Sequence, residues 1–396
     1  MIKESYDIDF FTRKFVWIAL QFEIIFFRLI ALVWARLRRV RKKEKLTVHR
    51  IAAVWYWPED FPSASFTRMG IWKKYFEKEG VEFDHYHVGS MTEYTREYEG
   101  KNRTRLYWFY CKFVYRRFKQ FLQLHDYDVV WIDRWFLVHY PSPNGFWEEL
   151  LGKMNQRIVM DSTDGTDYTG YPALITSIYS KMDRLVVAYE GLYDFYGPKY
   201  PGKVFRFNYT ISEEGYRCRD HWQVDNLPVI GWMGSPSNFL YLQAIEGELQ
   251  KVFQVQPFRM IIICRQRVEL NIPGCTISYH RYGADYFELI KRFDIGVAPF
   301  TEKNFGTTGK IGMKHQEFLL CQVPQVCSPQ GISEWAVDHT HCLIANEVED
   351  WAPALLEMLD DAVLRERLAK AGRQLCLEHY TADGQWPLVK QALTSF

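Results

Sequence analysis

Lys310 and Lys314 stand four residues apart, and Glu317 follows one turn later. At that spacing the two ammonium groups share one face of a helix start. With the open N–H groups of a helix N-terminus they suit a diphosphate. Glu317 is then placed to accept hydrogen bonds from sugar-type hydroxyls. A solvated lysine face on an ordinary helix has the same pattern, so the spacing alone leaves both readings open. Asp161 and Asp164 lie at the end of QRIVMDSTDG, where a carboxylate can take or hold a hydroxyl proton. Loop capping would use the same two residues. Ser65 and Arg68 fall in the loop after the first strand-like run, and Arg134 ends YDVVWIDR. The arginines offer contacts to a phosphate or a second substrate, with a plain salt bridge from Arg134 to Glu148 as the alternative. Gly234 and Ser235 form a tight loop after NLPVIGWM, and Arg265 ends FRMIIICR. His85 and His87 lie two apart on a strand-like run without a third ligand, so no metal site is expected.

Short β-branched and aromatic runs alternate with amphipathic stretches, which predicts parallel sheets flanked by helices. HRIAAVWYW, VEFDHYHVG, YDVVWIDRW, QRIVMDSTDG and RLVVAYEG form one series. A second begins at Leu227 with NLPVIGWMGS and continues through FRMIIICR, CTISYH, FDIGVAPF, VPQVCSP and HTHCLIAN. The polar, aperiodic stretch 211–226 reads as the linker between them. The expected division is a membrane-associating segment 1–45, an acceptor-side domain 46–222, a donor-side domain 223–380, and a C-terminal helix 381–396 packing back on the first domain. Two doubly wound halves facing each other would leave a cleft at the carboxyl ends of their strands.

A chain of 396 residues with 48% apolar and 24% charged residues is globular and long enough for two cores. A net charge of +1 excludes a general nucleic-acid binder. The charge is unevenly placed: residues 1–50 hold twelve Lys/Arg against five Asp/Glu. Eight scattered cysteines without a C-x-x-C pair read as reduced thiols. Residues 15–35, FVWIALQFEIIFFRLIALVWA, approach a bilayer-spanning length but carry Gln21, Glu23 and Arg28. At 100° per residue Lys14, Gln21, Arg28, Arg36 and Arg39 form a polar stripe, with Trp17 and Trp34 near the ends. That stripe predicts an interfacial helix with its polar side in the headgroups, and the cluster 36–45 adds affinity for anionic lipid. A spanning helix and a hydrophobic dimerisation helix are the other readings of this segment. Glu23, opposite the stripe, needs a partner that the sequence does not name.

Four stretches resemble the large retaining glycosyltransferase family of the two-Rossmann GT-B fold (group 1, family 4-like): VIGWMGSPSN (229–238), FDIGVAPF (293–300), GKIGMKHQEFLLCQVPQVCSPQG (309–331) and LDDAVLRERLAKAGRQLCLEHYT. The resemblance covers residues 227–381 and only the outline of the first half. It implies an α/β protein of two Rossmann-like domains across a cleft, preceded here by the amphipathic helix. It further implies a glycosyltransferase moving a sugar from a nucleotide-sugar to a lipid-linked or cell-surface glycan, with retention. The donor would be held by Gly234, Ser235, Arg265, Lys310, Lys314 and Glu317. The reacting side would hold Asp161, Asp164 and Glu317, with Ser65, Arg68 and Arg134 facing the acceptor. The family fold works without an obligatory metal, so no cofactor is expected. The partners implied are the nucleotide-sugar, the acceptor and, through residues 11–45, the anionic cytoplasmic face of the inner membrane, in the setting of polysaccharide or lipopolysaccharide assembly. Three departures stand out. Gly309 replaces the first of two glutamates, GSPSN lacks the family's basic residues, and Gln322 stands where relatives have glycine. They keep a catalytically degenerate membrane scaffold, or a nucleotide-sugar epimerase, as alternatives.

Overall fold

The computed structural model describes residues 10–56, 68–93, 96, 103–137, 145–163, 165, 170–213, 216–224, 227–282, 286–300, 312–332 and 334–396; within these, the side chains of 10–17, 19, 91, 103–105 and 107 are not described. Ser65, Asp164 and Lys310 therefore lie outside the described residues, as do the side chains of Lys14 and Trp17. The chain divides into two compact units. The first holds residues up to Ala188, Leu192–Tyr209 and Trp386–Phe396; the second holds Tyr189–Gly191 and Thr210–Gln385.

The first unit is built on six strands: β1 (Arg50–Val54), β2 (Glu82–Tyr86), β3 (Val129–Asp133), β4 (Arg157–Ser162), β5 (Arg184–Val187) and β6 (Val204–Arg206). They pair in the order β2-β1-β3-β4-β5-β6, all parallel. Residues 51–54, 129–132 and 157–162 are buried without alternation, as strands covered on both faces must be. Three helices matter below: α1 (Phe10–Leu37), α2 (Arg103–Gln123) and α3 (Phe146–Met154). The last residues of the chain are tied to this unit. Arg184 donates to the carbonyls of Gln391 and Ala392, and its guanidinium lies 3.8 Å from the Phe396 ring centroid.

The second unit has β7 (Val229–Met233), β8 (Arg259–Ile263), β9 (Thr276–His280), β10 (Ile295–Ala298), β11 (Gln325–Cys327) and β12 (Leu343–Ile344). Their order is β12-β11-β10-β7-β8-β9, again all parallel. Its helices α4 (Met313–Leu320), α5 (Trp351–Asp360) and α6 (Ala362–His379) supply the buried Phe318, Leu355 and Leu368 to its core. The stretch 211–226 is no free linker where it is described. Arg219 donates to the carbonyl of Phe293 and pairs with Asp294, whose other oxygen accepts the Val229 N–H. All eight cysteines are free thiols, five of them buried.

α1 is held by its inward residues Leu20, Ile24, Ala31 and Ala35, and Phe27 stacks on Phe118 of α2 at 4.4 Å. This corrects the expected orientation for two residues of the polar stripe, while Arg36 and Arg39 are exposed as expected. Gln21 and Arg28 are half-buried on the protein side, and the Arg28 guanidinium sits 4.9 Å from the Phe146 ring centroid. Glu23 finds a partner in the Cys111 thiol, and burial raises its carboxyl. Apolar residues face outward instead.

Candidate donor and acceptor sites

In a doubly wound sheet, ligands bind outside the carboxyl ends of the strands where the order reverses. In the second unit the reversal falls between β7 and β10. Gly234 and Ser235 follow β7 directly, and the chain after β10 leads through residues 301–311, outside the described set, into α4. Sheet order thus brings together the loop after β7 and the helix carrying Lys314 and Glu317. In the first unit the reversal falls between β1 and β3. Arg134 follows β3 with φ of +62°, a left-handed conformation uncommon for a bulky residue and typical of functional turns.

Lys314 lies in the first turn of α4, whose N-cap is Gly312. Its ammonium is buried and has no hydrogen-bond partner among the described residues. The Trp232 ring centroid lies 5.3 Å from Nζ. Burial alone pulls the ammonium down to about 8. A buried unpaired cation is costly, and an anion arriving at this helix start would offset that cost. Trp232 also explains Gly234: a Cβ there would come within 2.7 Å of the Trp232 ring. The Gly234 N–H already donates to the Ile263 carbonyl, so it holds the loop rather than a ligand. Ser235 is exposed, with Oγ 2.8 Å from Ser237 Oγ. Arg265 is exposed after β8.

Glu317 is buried, and its Oε1 accepts the hydroxyls of Tyr286 at 2.6 Å and Tyr216 at 3.1 Å. Burial lifts its carboxyl to about 7, against the opposing pull of the two phenols. Both phenols are pushed upward by burial and by the glutamate charge. Sequence reasoning missed Tyr216, which sat inside the supposed linker, and the pair Tyr282/Tyr286, whose one-turn spacing was the available signal.

Asp161 and Arg68 take a different part from the one expected. Asp161 lies within β4 and is 0% exposed. Its carboxylate accepts Arg68 Nε at 3.1 Å and Trp131 Nε1 at 3.1 Å. Arg68 is equally buried, donates to the Phe207 carbonyl and stacks on the Phe207 ring at 3.8 Å. Burial outweighs the guanidinium and lifts the Asp161 carboxyl to about 6. A carboxylate sealed from solvent and engaged on both oxygens ties β4 to the chain after β6; it is not open to an incoming hydroxyl.

Gln322, where the resemblance expects glycine, has φ of +56°. Val323 N–H bonds to Phe318 O and Gln322 N–H to Leu319 O, a Schellman ending for α4. The glycine-type conformation is retained without glycine. Gln322→Gly is expected to stabilise the protein by about 0.5–1 kcal/mol in urea unfolding, since left-handed φ costs glutamine and not glycine.

Residues 254–387 match the family model described as glycosyl transferase-like. No curated protein matches the chain. Among solved structures, a glycosyltransferase from Rickettsia africae ESF-5 aligns with a TM-score of 0.58 at 12% identity, over 88% of this chain and 99% of that one. The sucrose-phosphate synthase of Thermosynechococcus elongatus aligns at 0.59 and 11%, over 87% and 98%. Anabaena HepE, solved in complex with UDP-glucose, aligns at 0.57 and 10%, over 86% and 98%. The chain has the GT-B fold. Both Rossmann-like units of this GT-B protein are present, and the glycosyl transferase-like segment contains α4 with Lys314 and Glu317.

Proposed function

We propose that this GT-B protein transfers a sugar from a nucleotide-sugar, a uridine diphosphate donor first among candidates, onto a lipid-linked or cell-surface glycan acceptor with retention. The buried Lys314 ammonium at the α4 start, without a hydrogen-bond partner among the described residues, carries the reading. Glycosyl transfer passes through an oxocarbenium-like centre while a diphosphate leaves, and a fixed cation in a water-poor site stabilises that leaving charge. Lys314 takes this task, aided by the α4 N-terminus and by Lys310. Glu317, braced by two phenols, presents its remaining oxygen to donor hydroxyls. Ser235 and Arg265 flank the donor, and Arg134, Ser65 and Asp164 belong to the acceptor side. No cofactor enters the reading. The setting is the cytoplasmic face of a membrane, where lipid-linked glycans are extended.

Incubating the full chain with UDP-sugars and lipid-linked acceptors, and reading the product's anomeric configuration by NMR, tests this. A new glycosidic bond of the donor's own configuration is expected. An inverted product removes retention from the account. Isomerised nucleotide-sugar without transfer replaces it with an epimerase.

A further inference from the structure

We propose that α1 lies flat on an anionic bilayer with its outward face in the headgroup–acyl boundary, docking the first unit as a monotopic protein. Phe22, Ile25, Phe26, Leu29, Val33 and Leu37 recur at helical spacing on the side away from the body, and all are exposed, Phe22 by 78%. The inward side is fixed: Leu20, Ile24, Ala31 and Ala35 are buried, and the helix packs on α2 and α3. Isolated exposed apolar side chains need no explanation, but a contiguous row along one helix marks an interaction surface.

α2 widens the row. Tyr115 and Trp108, two turns apart on one face, are both exposed, and the Tyr115 ring centroid lies 6.2 Å from Phe27. Amphipathic aromatics beside an apolar row suit a lipid interface.

Charge selects the occupant. Directly after the apolar row, Arg36, Arg38, Arg39 and Arg41 are all exposed, and Lys119 is exposed one turn from Tyr115. Lys42 is tied to Asp183 at 2.7 Å, which anchors this basic stretch to the body. Such a cluster complements anionic lipid, each residue adding attraction near the surface. A second copy of the chain would instead bring the same basic cluster against itself. Among the described residues no helix is long and apolar enough to cross a membrane. Spanning would also strip Leu20, Ile24, Ala31 and Ala35 from their packing. The helix therefore lies on the bilayer with Arg28 and Glu23 kept on the protein side. This docking goes beyond the transfer reaction and does not rest on the donor site.

The test is co-sedimentation of the full chain with phosphatidylcholine vesicles, with and without phosphatidylglycerol. Binding to the anionic vesicles that weakens with salt is expected. Phe22→Ser/Phe26→Ser/Leu29→Ser is expected to lower partitioning by about tenfold or more, and Arg39→Glu/Arg41→Glu by about tenfold on anionic vesicles alone. Unchanged binding of the triple variant overturns the proposal. So does lipid-independent dimerisation that the triple variant abolishes. Should the triple variant fail to fold, quenching of the wild-type tryptophans by brominated lipids decides. Shallow bromines that quench more than deep ones, with part of the effect lost in Trp108→Phe, support flat docking; the reverse depth profile overturns it.

Discussion

Lys314→Met is expected to lower kcat/KM by about a hundredfold or more while making the unliganded protein more stable. The two effects have one cause. Nζ is buried without a hydrogen-bond partner among the described residues, and burial depresses the ammonium from its ordinary 10.5 to about 8. Between pH 8 and 10.5 the unfolded chain holds a proton that the native state has released, so native stability rises across that window. Below pH 8 both states are protonated, and the native state carries the full cost. Methionine keeps the length and packing over Trp232 and removes that cost, a gain on the order of 1–3 kcal/mol near neutral pH. It also removes the fixed cation that meets the leaving diphosphate, where a single electrostatic contact contributes about 3 kcal/mol or more to the transition state. A variant that melts higher and turns over slower separates a ligand-binding lysine from a structural one, whose loss would lower both. Steady-state kinetics and a thermal melt from pH 7 to 10 read both quantities.

Asp161→Ala is expected to destabilise the first unit by about 3–5 kcal/mol, enough to leave a marginal domain largely unfolded. It strands the Arg68 guanidinium, which is 1% exposed, beside the Phe207 ring with its carboxylate partner gone. The paired change Arg68→Met/Asp161→Leu fills similar volume without charge and is expected to restore most of the loss. A directly reacting aspartate gives the opposite pattern: a stable alanine variant without activity, and no recovery from the double change. Chemical unfolding of the three proteins distinguishes the two.

These predictions mark where the sequence was legible and where it was not. The alternation of apolar runs and amphipathic stretches located eleven of the strands; the inner ones, covered on both faces, leave an uninterrupted apolar signature. β6 escaped, being three half-buried residues at a sheet edge. The spacing of Lys314 and Glu317 survived intact, since three residues on a helix fix a face whatever surrounds it. What surrounds them did not survive. Tyr216 comes from a stretch with no periodicity, brought in by the chain path through Arg219 and Asp294. The α1 stripe was legible but not its facing: Gln21 and Arg28 turn to the protein, while Arg36 and Arg39 stay exposed. A polar stripe on an apolar helix fits water, headgroups or a neighbouring helix equally well, and Arg28 over Phe146 shows which applied. QRIVMDSTDG does not reveal where its strand ends, so Asp161 reads as a loop carboxylate in the sequence; the register with Asp133 on β3 sets it inside the sheet.

Calorimetric titration of the wild-type chain and Lys314→Met with UDP, GDP and ADP tests the central claim, that the start of α4 is a diphosphate site. Micromolar binding of one nucleoside diphosphate by the wild type, lost or weakened about a hundredfold in the variant, is the predicted result. A folded wild-type protein that binds none of the three, or a variant that binds as tightly as the wild type, contradicts it.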